Sequence, residues 1–291
     1  MLDASGLIHV TDNLFLVAED NQDCLRFFRL DLSDSNDPSF RNTGQSFCLD
    51  NGQKQNSDFE SMARLGDVFY VIGGYNEKER NRLLSFQFTG WELTTSPVTI
   101  PFKPSSFFRR SKRDVEALTS YGTEQLLVGF RKPLDRQGRA QALIVNTNDG
   151  DIQSNSPLRF DLRQRGFRDW VQVDASNYLI LAGPKRRRGQ SSRKIYLWDS
   201  NNIEADIRPT KCNIDLGNFR AEGICVRKKE DGLEILISSD ESKPAENLNN
   251  DDEITFKLKY IKVSNITDLT QGRHPLLQTV KVDVGPRGQS N

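Results

Sequence analysis

The sequence predicts an all-β chain folded as a closed β-propeller of five four-stranded antiparallel blades. Three observations carry this: a segment recurring five times at a near-constant interval, hairpin turns inside every copy, and no long stretch of helical periodicity. The recurring segment opens on acidic or small residues, runs through a short β stretch and a turn, and closes on a second apolar stretch. Its copies begin at Asp3-Ala4-Ser5-Gly6, Asp58-Phe59-Glu60-Ser61, Asp114-Val115-Glu116-Ala117, Asp169-Trp170-Val171-Gln172 and Arg220-Ala221-Glu222-Gly223. The third residues of these starts, 5, 60, 116, 171 and 222, are separated by 55, 56, 55 and 51 positions. A period near 50 marks arrays in which each repeat buries its faces against its neighbours. A β-sandwich would not account for the regular interval.

The elements follow in order. The turns between the first two strands of each copy are Thr11-Asp12-Asn13, Leu65-Gly66-Asp67, Tyr121-Gly122-Thr123, Asp174-Ala175-Ser176-Asn177 and Glu230-Asp231-Gly232, all rich in hairpin residues. Two further strands per copy complete each blade, for example 25–32 and 46–49 in the first and 254–263 and 276–284 in the last. The blades then occupy about 1–50, 51–105, 106–163, 164–216 and 217–286 of one domain, with 287–291 as a tail. The chain opens on a first strand and ends on a fourth, so closure joins whole blades without exchanging a strand.

Composition narrows the function classes. The 40 Lys and Arg balance the 40 Asp and Glu, so no global field draws the protein to nucleic acid or a membrane surface. The N-terminus has neither a basic nor an apolar leader, and nowhere do about 18 apolar residues run together. The expectation is a cytoplasmic protein without a membrane partner. Cys24, Cys48, Cys212 and Cys225 show no Cys-x-x-Cys spacing and are expected to be reduced core thiols.

In a blade, the start of the first strand and the end of the second reach the same face, so one mouth of the channel collects matching side chains. Ser5, Glu60, Glu116, Val171 and Glu222 are expected to ring one axis. Carboxylates gathered there need a cation, protons or arginines as counter-charge. Calcium fits a site of Ser5, Glu60, Glu116 and Glu222, since it takes oxygen ligands and only His9 and His274 are present for a softer metal. The alternative is that the acids hydrogen-bond the backbone of neighbouring blades or pair with Arg131, Arg168 and Arg220. A catalytic reading of the same mouth would use Asp58, Asp114 and Asp169 as acids or bases, with Arg131 and Arg168 holding a phosphorylated small molecule. No phosphate loop, nucleophile elbow or metalloprotease helix is present. Two basic stretches, Arg109-Arg110-Ser111-Lys112-Arg113 and Lys185-Arg186-Arg187-Arg188 followed by Arg193-Lys194, fall in expected loops. Arg109, Arg110, Arg186, Arg187 and Arg188 are candidates for contact with a partner, a protein rather than nucleic acid.

Several strings together carry a family likeness. They are Asp58 to Asp67, Gly129-Phe130-Arg131-Lys132-Pro133-Leu134 leading into Ala140 to Val145, Gly166-Phe167-Arg168-Asp169, Tyr178 to Pro184, Leu197-Trp198-Asp199, and Ala221-Glu222-Gly223. Through them the chain resembles the bacterial domain of unknown function 3616 over nearly its whole length. Where that family tends to place Ser-His, this chain has Gly74-Tyr75. More distantly it looks like the calcium-activated nucleotidases (apyrases), five-bladed propellers whose calcium sits on Ser and Glu of the first strands. That likeness implies calcium on Ser5, Glu60, Glu116 and Glu222, with Val171 departing from the pattern. Two functions follow: a binding module with an acidic axial site and a protein partner, or a calcium-dependent phosphohydrolase at the channel mouth.

Overall fold

The computed structural model describes residues 4–19, 24–34, 37–49, 59–73, 83–102, 114–153, 156–184, 193–201, 206–239, 256–271 and 275–283. The first unit is β1 (Ala4–Thr11), β2 (Leu14–Glu19), β3 (Cys24–Asp31) and β4 (Ser39–Cys48). The second has β5 (Phe59–Leu65), β6 (Val68–Gly73), β7 (Leu83–Phe86), the short pair β8 (Phe88–Thr89) and β9 (Glu92–Leu93), and β10 (Val98–Ile100). The third is β11 (Asp114–Tyr121), β12 (Gln125–Lys132), β13 (Ala140–Asn146) and β14 (Leu158–Phe160). The fourth is β15 (Arg165–Gln172), β16 (Asn177–Pro184), β17 (Lys194–Asp199) and β18 (Thr210–Lys211). The fifth is β19 (Ala221–Lys229), β20 (Gly232–Ser239), β21 (Leu258–Val263) and β22 (Leu277–Asp283).

All pairing within a unit is antiparallel. The β5–β6 and β11–β12 hairpins turn through Gly66 and Gly122 at φ of 62° and 61°, a backbone region that a side chain disfavours. The expected fourth strand of the first unit is longer than the 46–49 stretch, because β4 already pairs with β3 from Ser39. Its first half alternates too little in hydrophobicity to be read as strand.

The first strands contact one another in the cyclic order β1, β5, β11, β15, β19 and back to β1. Among the described residues five apolar clusters lie between successive units, and each draws its residues from two of them. The layer between the third and fourth units is the most aromatic: Phe167 stacks on Trp170 at 4.9 Å, and Phe160 meets Trp170 and Trp198 edge-on at 5.2 Å. Burying each large apolar side chain contributes about 1.5–3 kcal/mol, so these layers hold the ring together. A parallel pairing, Lys281↔Ser39, Val282↔Phe40 and Asp283↔Arg41, adds to this closure and fuses the first and last units into one eight-stranded sheet. Each of those units keeps its own four strands. Among the described residues no helix is long and apolar enough to cross a membrane.

The cysteines correct one expectation. Cys24 and Cys48 face each other across β3 and β4 and form a disulfide, whereas Cys212 and Cys225 are free and buried. Strand pairing between β3 and β4, invisible in Cys spacing, brings the first two together. Thiol titration of the denatured, unreduced protein is therefore expected to find two thiols. Four would mean that the pair stays reduced, as a reducing compartment would keep it.

Candidate functional site

Each first strand carries a β-bulge near its start. Register shifts fall between Ala4 and Gly6, Phe59 and Ser61, Val115 and Ala117, Phe167 and Asp169, and Ala221 and Gly223. The residues set out of register are Ser5, Glu60, Glu116, Arg168 and Glu222. A bulge re-aims its extra residue, and conserving it in every strand of the ring gives five equivalent positions at one end of the axis. The fourth position is thus Arg168 rather than Val171. Matching Asp169 to the acids that open the other copies put the fourth repeat three residues out of phase, because the bulge precedes Asp169. Val171 lies instead in the wall of a cavity of about 240 Å³ along the axis, with His9, Met62, Thr119 and Val226 from the other four first strands.

The ring brings acids and arginines into one chain of ion pairs. Asp114 accepts from Arg131 Nε at 2.6 Å, and Arg131 Nη1 reaches Glu116 at 2.7 Å. The other Glu116 oxygen faces Arg168 Nη1 at 3.0 Å, and that nitrogen also lies 2.9 Å from Glu222. Glu222 in turn accepts from Arg193 Nη2 at 2.6 Å. Lys132 stands 3.3 Å from Asp114 at the outer end. Arg168 is only 3% exposed, and its Nε finds no partner among the described groups.

Burial pushes the Glu116 carboxyl up to about 7; Arg168 and Arg131 pull it down, while Glu222 and Asp114 add to the rise. Burial alone would lower Arg168, but the carboxylates of Glu116, Glu222, Glu60 and Asp114 outweigh it and hold the guanidinium charged. The oxygens of Glu116 and Glu222 are engaged by guanidiniums, so as arranged these residues do not fit a calcium cage. Among the described residues no group of three or more His, Cys, Asp or Glu side chains is placed to hold a metal.

Asp169 belongs to a second polar cluster deeper in the ring. The Leu118 N–H of β11 donates to Ser61 Oγ on β5 at 2.9 Å, and that hydroxyl donates to Asp169 Oδ1 at 2.6 Å. The other oxygen accepts the Ile224 N–H of β19 at 2.7 Å, and Oδ1 also accepts the Trp170 N–H at 2.8 Å. One carboxyl therefore ties together four of the five first strands. Ser5 Oγ, donating to the Phe59 carbonyl, joins the remaining strand β1 to β5. Burial raises the Asp169 carboxyl well above the ordinary carboxylate range, against the three donors that favour its charged form.

The other expected site residues divide. Asp114, Arg131 and Arg168 join the network above, and Arg220 is exposed. Asp58, Arg109, Arg110, Arg186, Arg187 and Arg188 lie outside the described residues, as does His274. Arg193, read from the sequence as part of a basic loop, is 8% exposed and pairs with Glu222. Its position directly before the apolar β17 is the signal that would have separated it from the loop arginines. The Ser61–Asp169 tie had no such signal, since it joins residues 108 positions apart.

No protein-family model matches this chain, and no curated protein sequence does. Among solved structures it is similar to the RS223 β-xylosidase, with a TM-score of 0.55 and 9% identity over 97% of each chain. An α-L-arabinanase mutant from Cellvibrio cellulosa gives a TM-score of 0.53 at 9% identity, covering 96% of this chain and 95% of that one. The N-terminal domain of Nup159 gives 0.39 at 11% identity, and its match covers 99% of this chain and 66% of that domain. The first two likenesses, together with the cyclic order of the first strands, show an all-β chain with the β-propeller fold.

Proposed function

We propose that the chain is a five-bladed β-propeller acting as a non-catalytic binding module with another protein as its partner, and that its axial ring is an internal lock. The observation that carries this is Arg168. It occupies the fourth ring position and sits 3.0 Å and 2.9 Å from Glu116 and Glu222, where a bound cation or an anionic substrate would need room. Asp114, Glu116 and Glu222, which a hydrolase would use as base or metal ligand, pair with guanidiniums, and Asp114, Glu116, Arg168 and Asp169 are all buried. A general base must reach its substrate, and these do not.

The second reading is a calcium-dependent phosphohydrolase with calcium on Ser5, Glu60, Glu116 and Glu222, as the nucleotidase likeness implies. The likeness to the domain of unknown function 3616 adds no activity to either reading. The folds shared with a xylosidase and an arabinanase add none either, because propellers host unrelated functions. The two readings separate in one experiment: thermal unfolding with and without millimolar calcium, followed by a panel of nucleotides and phosphomonoesters. An unchanged midpoint and no turnover are expected. A calcium-dependent rise in the midpoint together with turnover would establish the hydrolase instead.

A further inference from the structure

We infer that the face of the propeller opposite the axial ring carries a docking groove for an extended peptide segment that presents an apolar side chain beside a carboxylate. The inference rests on the binding-module reading and names its partner chemistry and its site.

The groove lies between the first two units, at the turn ends of β1–β2 and β5–β6. It encloses about 790 Å³, within the range of roughly 300–1,000 Å³ typical of ligand pockets. Its wall is an element that departs from the repeat. In the second unit, the connection between β7 and β10 is extended by the β8–β9 hairpin, and Gly90 and Trp91 form its tip. The hairpin is fastened in place: Thr94 N–H donates to the Gln87 carbonyl at 2.9 Å, Gln87 N–H donates to Thr95 Oγ1 at 3.1 Å, and Phe88 stacks on Phe69 at 4.5 Å. Trp91 packs edge-on against Phe27 at 5.1 Å yet stays 39% exposed. A tryptophan held at the rim of a concavity, and not folded into the core, has the character of an interface hot spot.

The rest of the groove is equally preorganised. The Asp12 carbonyl in the β1–β2 turn accepts from Arg227 Nη1 at 2.7 Å and meets His9 Nε2 at 3.0 Å. Arg64 donates to the Gly66 carbonyl at 2.8 Å and the Val10 carbonyl at 2.6 Å, and lies over the Phe69 ring. Of the charged side chains lining the groove, Arg64 and Asp67 stand 3.6 Å apart as a pair. That leaves Arg29 and Asp12, both exposed and neither in an ion pair within the described residues.

These features select the occupant. An unpaired guanidinium and an exposed tryptophan lining one groove match a segment that carries a carboxylate and an apolar side chain, with a charge-assisted hydrogen bond at the first and area burial at the second. Asp12 offers acceptors to the peptide N–H groups that such a segment also brings. Among the described residues of the groove, one unpaired cation stands against one unpaired anion, which favours a segment of mixed apolar and acidic character over a polyanion.

The test uses the whole chain and synthetic, N-acetylated, C-amidated hexapeptides in which Glu is placed next to Leu or Phe, with Lys-for-Glu counterparts. Trp170 and Trp198 are 1% and 2% exposed, so a change in tryptophan emission on adding peptide reports chiefly on Trp91. The acidic peptides are expected to shift that emission to the blue. Affinity measured calorimetrically is expected to fall about tenfold or more in Arg29→Glu, a surface change that leaves the unfolding midpoint in place, and in Trp91→Ala, which also uncovers Phe27 and is compared well below its own unfolding midpoint. Lys-for-Glu peptides are expected to bind at least about tenfold more weakly. Equal binding of the two peptide sets, no effect of Arg29→Glu, or binding of neutral oligosaccharides in place of peptides would each overturn the assignment. Turnover in the phosphoester panel would instead defeat the non-catalytic reading while leaving peptide binding intact, so the two failures are distinct.

Discussion

Replacing Arg168 with serine is expected to lower folding stability by up to about 3–5 kcal/mol, because buried Glu116 and half-buried Glu222 lose their shared guanidinium and keep one partner each, Arg131 and Arg193. The same change leaves Ser5, Glu60, Glu116, a serine and Glu222 around the ring, an all-oxygen set. Part of the lost stability is then expected to return on adding millimolar calcium, whereas the unaltered protein shows no response. Denaturant midpoints of both proteins in calcium and in chelator measure this directly. A variant as stable as the parent would mean that Arg168 is not the counter-charge of the ring. A parent protein that already responds to calcium would mean that the cation and the arginine share the site. Arg168→Lys serves as a control, since it keeps the charge but cannot span both carboxylates with a planar fork, and it is expected to recover only part of the loss.

Asp169→Ala is expected to cost a similar amount, about 3–5 kcal/mol, for a different reason. It removes the acceptor of the Ile224 and Trp170 N–H groups and of the Ser61 hydroxyl at once, in a place that water does not reach. Ser61→Ala removes one link of the same chain and is expected to cost about 1–3 kcal/mol. A double-mutant cycle should show strong coupling between the two, because once Asp169 is gone the Ser61 hydroxyl has lost its acceptor. If Asp169→Ala unfolds no more easily than the parent, the tie across β5, β11, β15 and β19 does not hold the ring. Loss of stability with the same calcium and phosphoester behaviour as the parent would mark Asp169 as a positioning residue of the fold and not as a catalytic acid.

These two residues also show why the sequence could be read only so far. A repeat of about 55 positions is a one-dimensional signal, and so is the alternation of apolar residues along each strand; both follow from backbone geometry, and both survive in the ring of sheets. The glutamates at 60, 116 and 222 share a place in the repeat because each occupies the bulge of its own first strand. The fourth repeat broke that reading. There an arginine takes the bulge and an aspartate follows it, so chemical likeness pointed to the wrong phase while hydrogen-bond register fixed the right one.

What the sequence determined alone was therefore the all-β class, since periodicity and residue type are local properties. Only the tertiary structure decided which charges meet. The pairing of Glu222 with both Arg168 and Arg193, the Ser61–Asp169 tie, the Cys24–Cys48 disulfide and the groove beneath Trp91 depend on distances between side chains carried by different strands. Those distances are set by how the sheets pack, and no spacing along the chain encodes them.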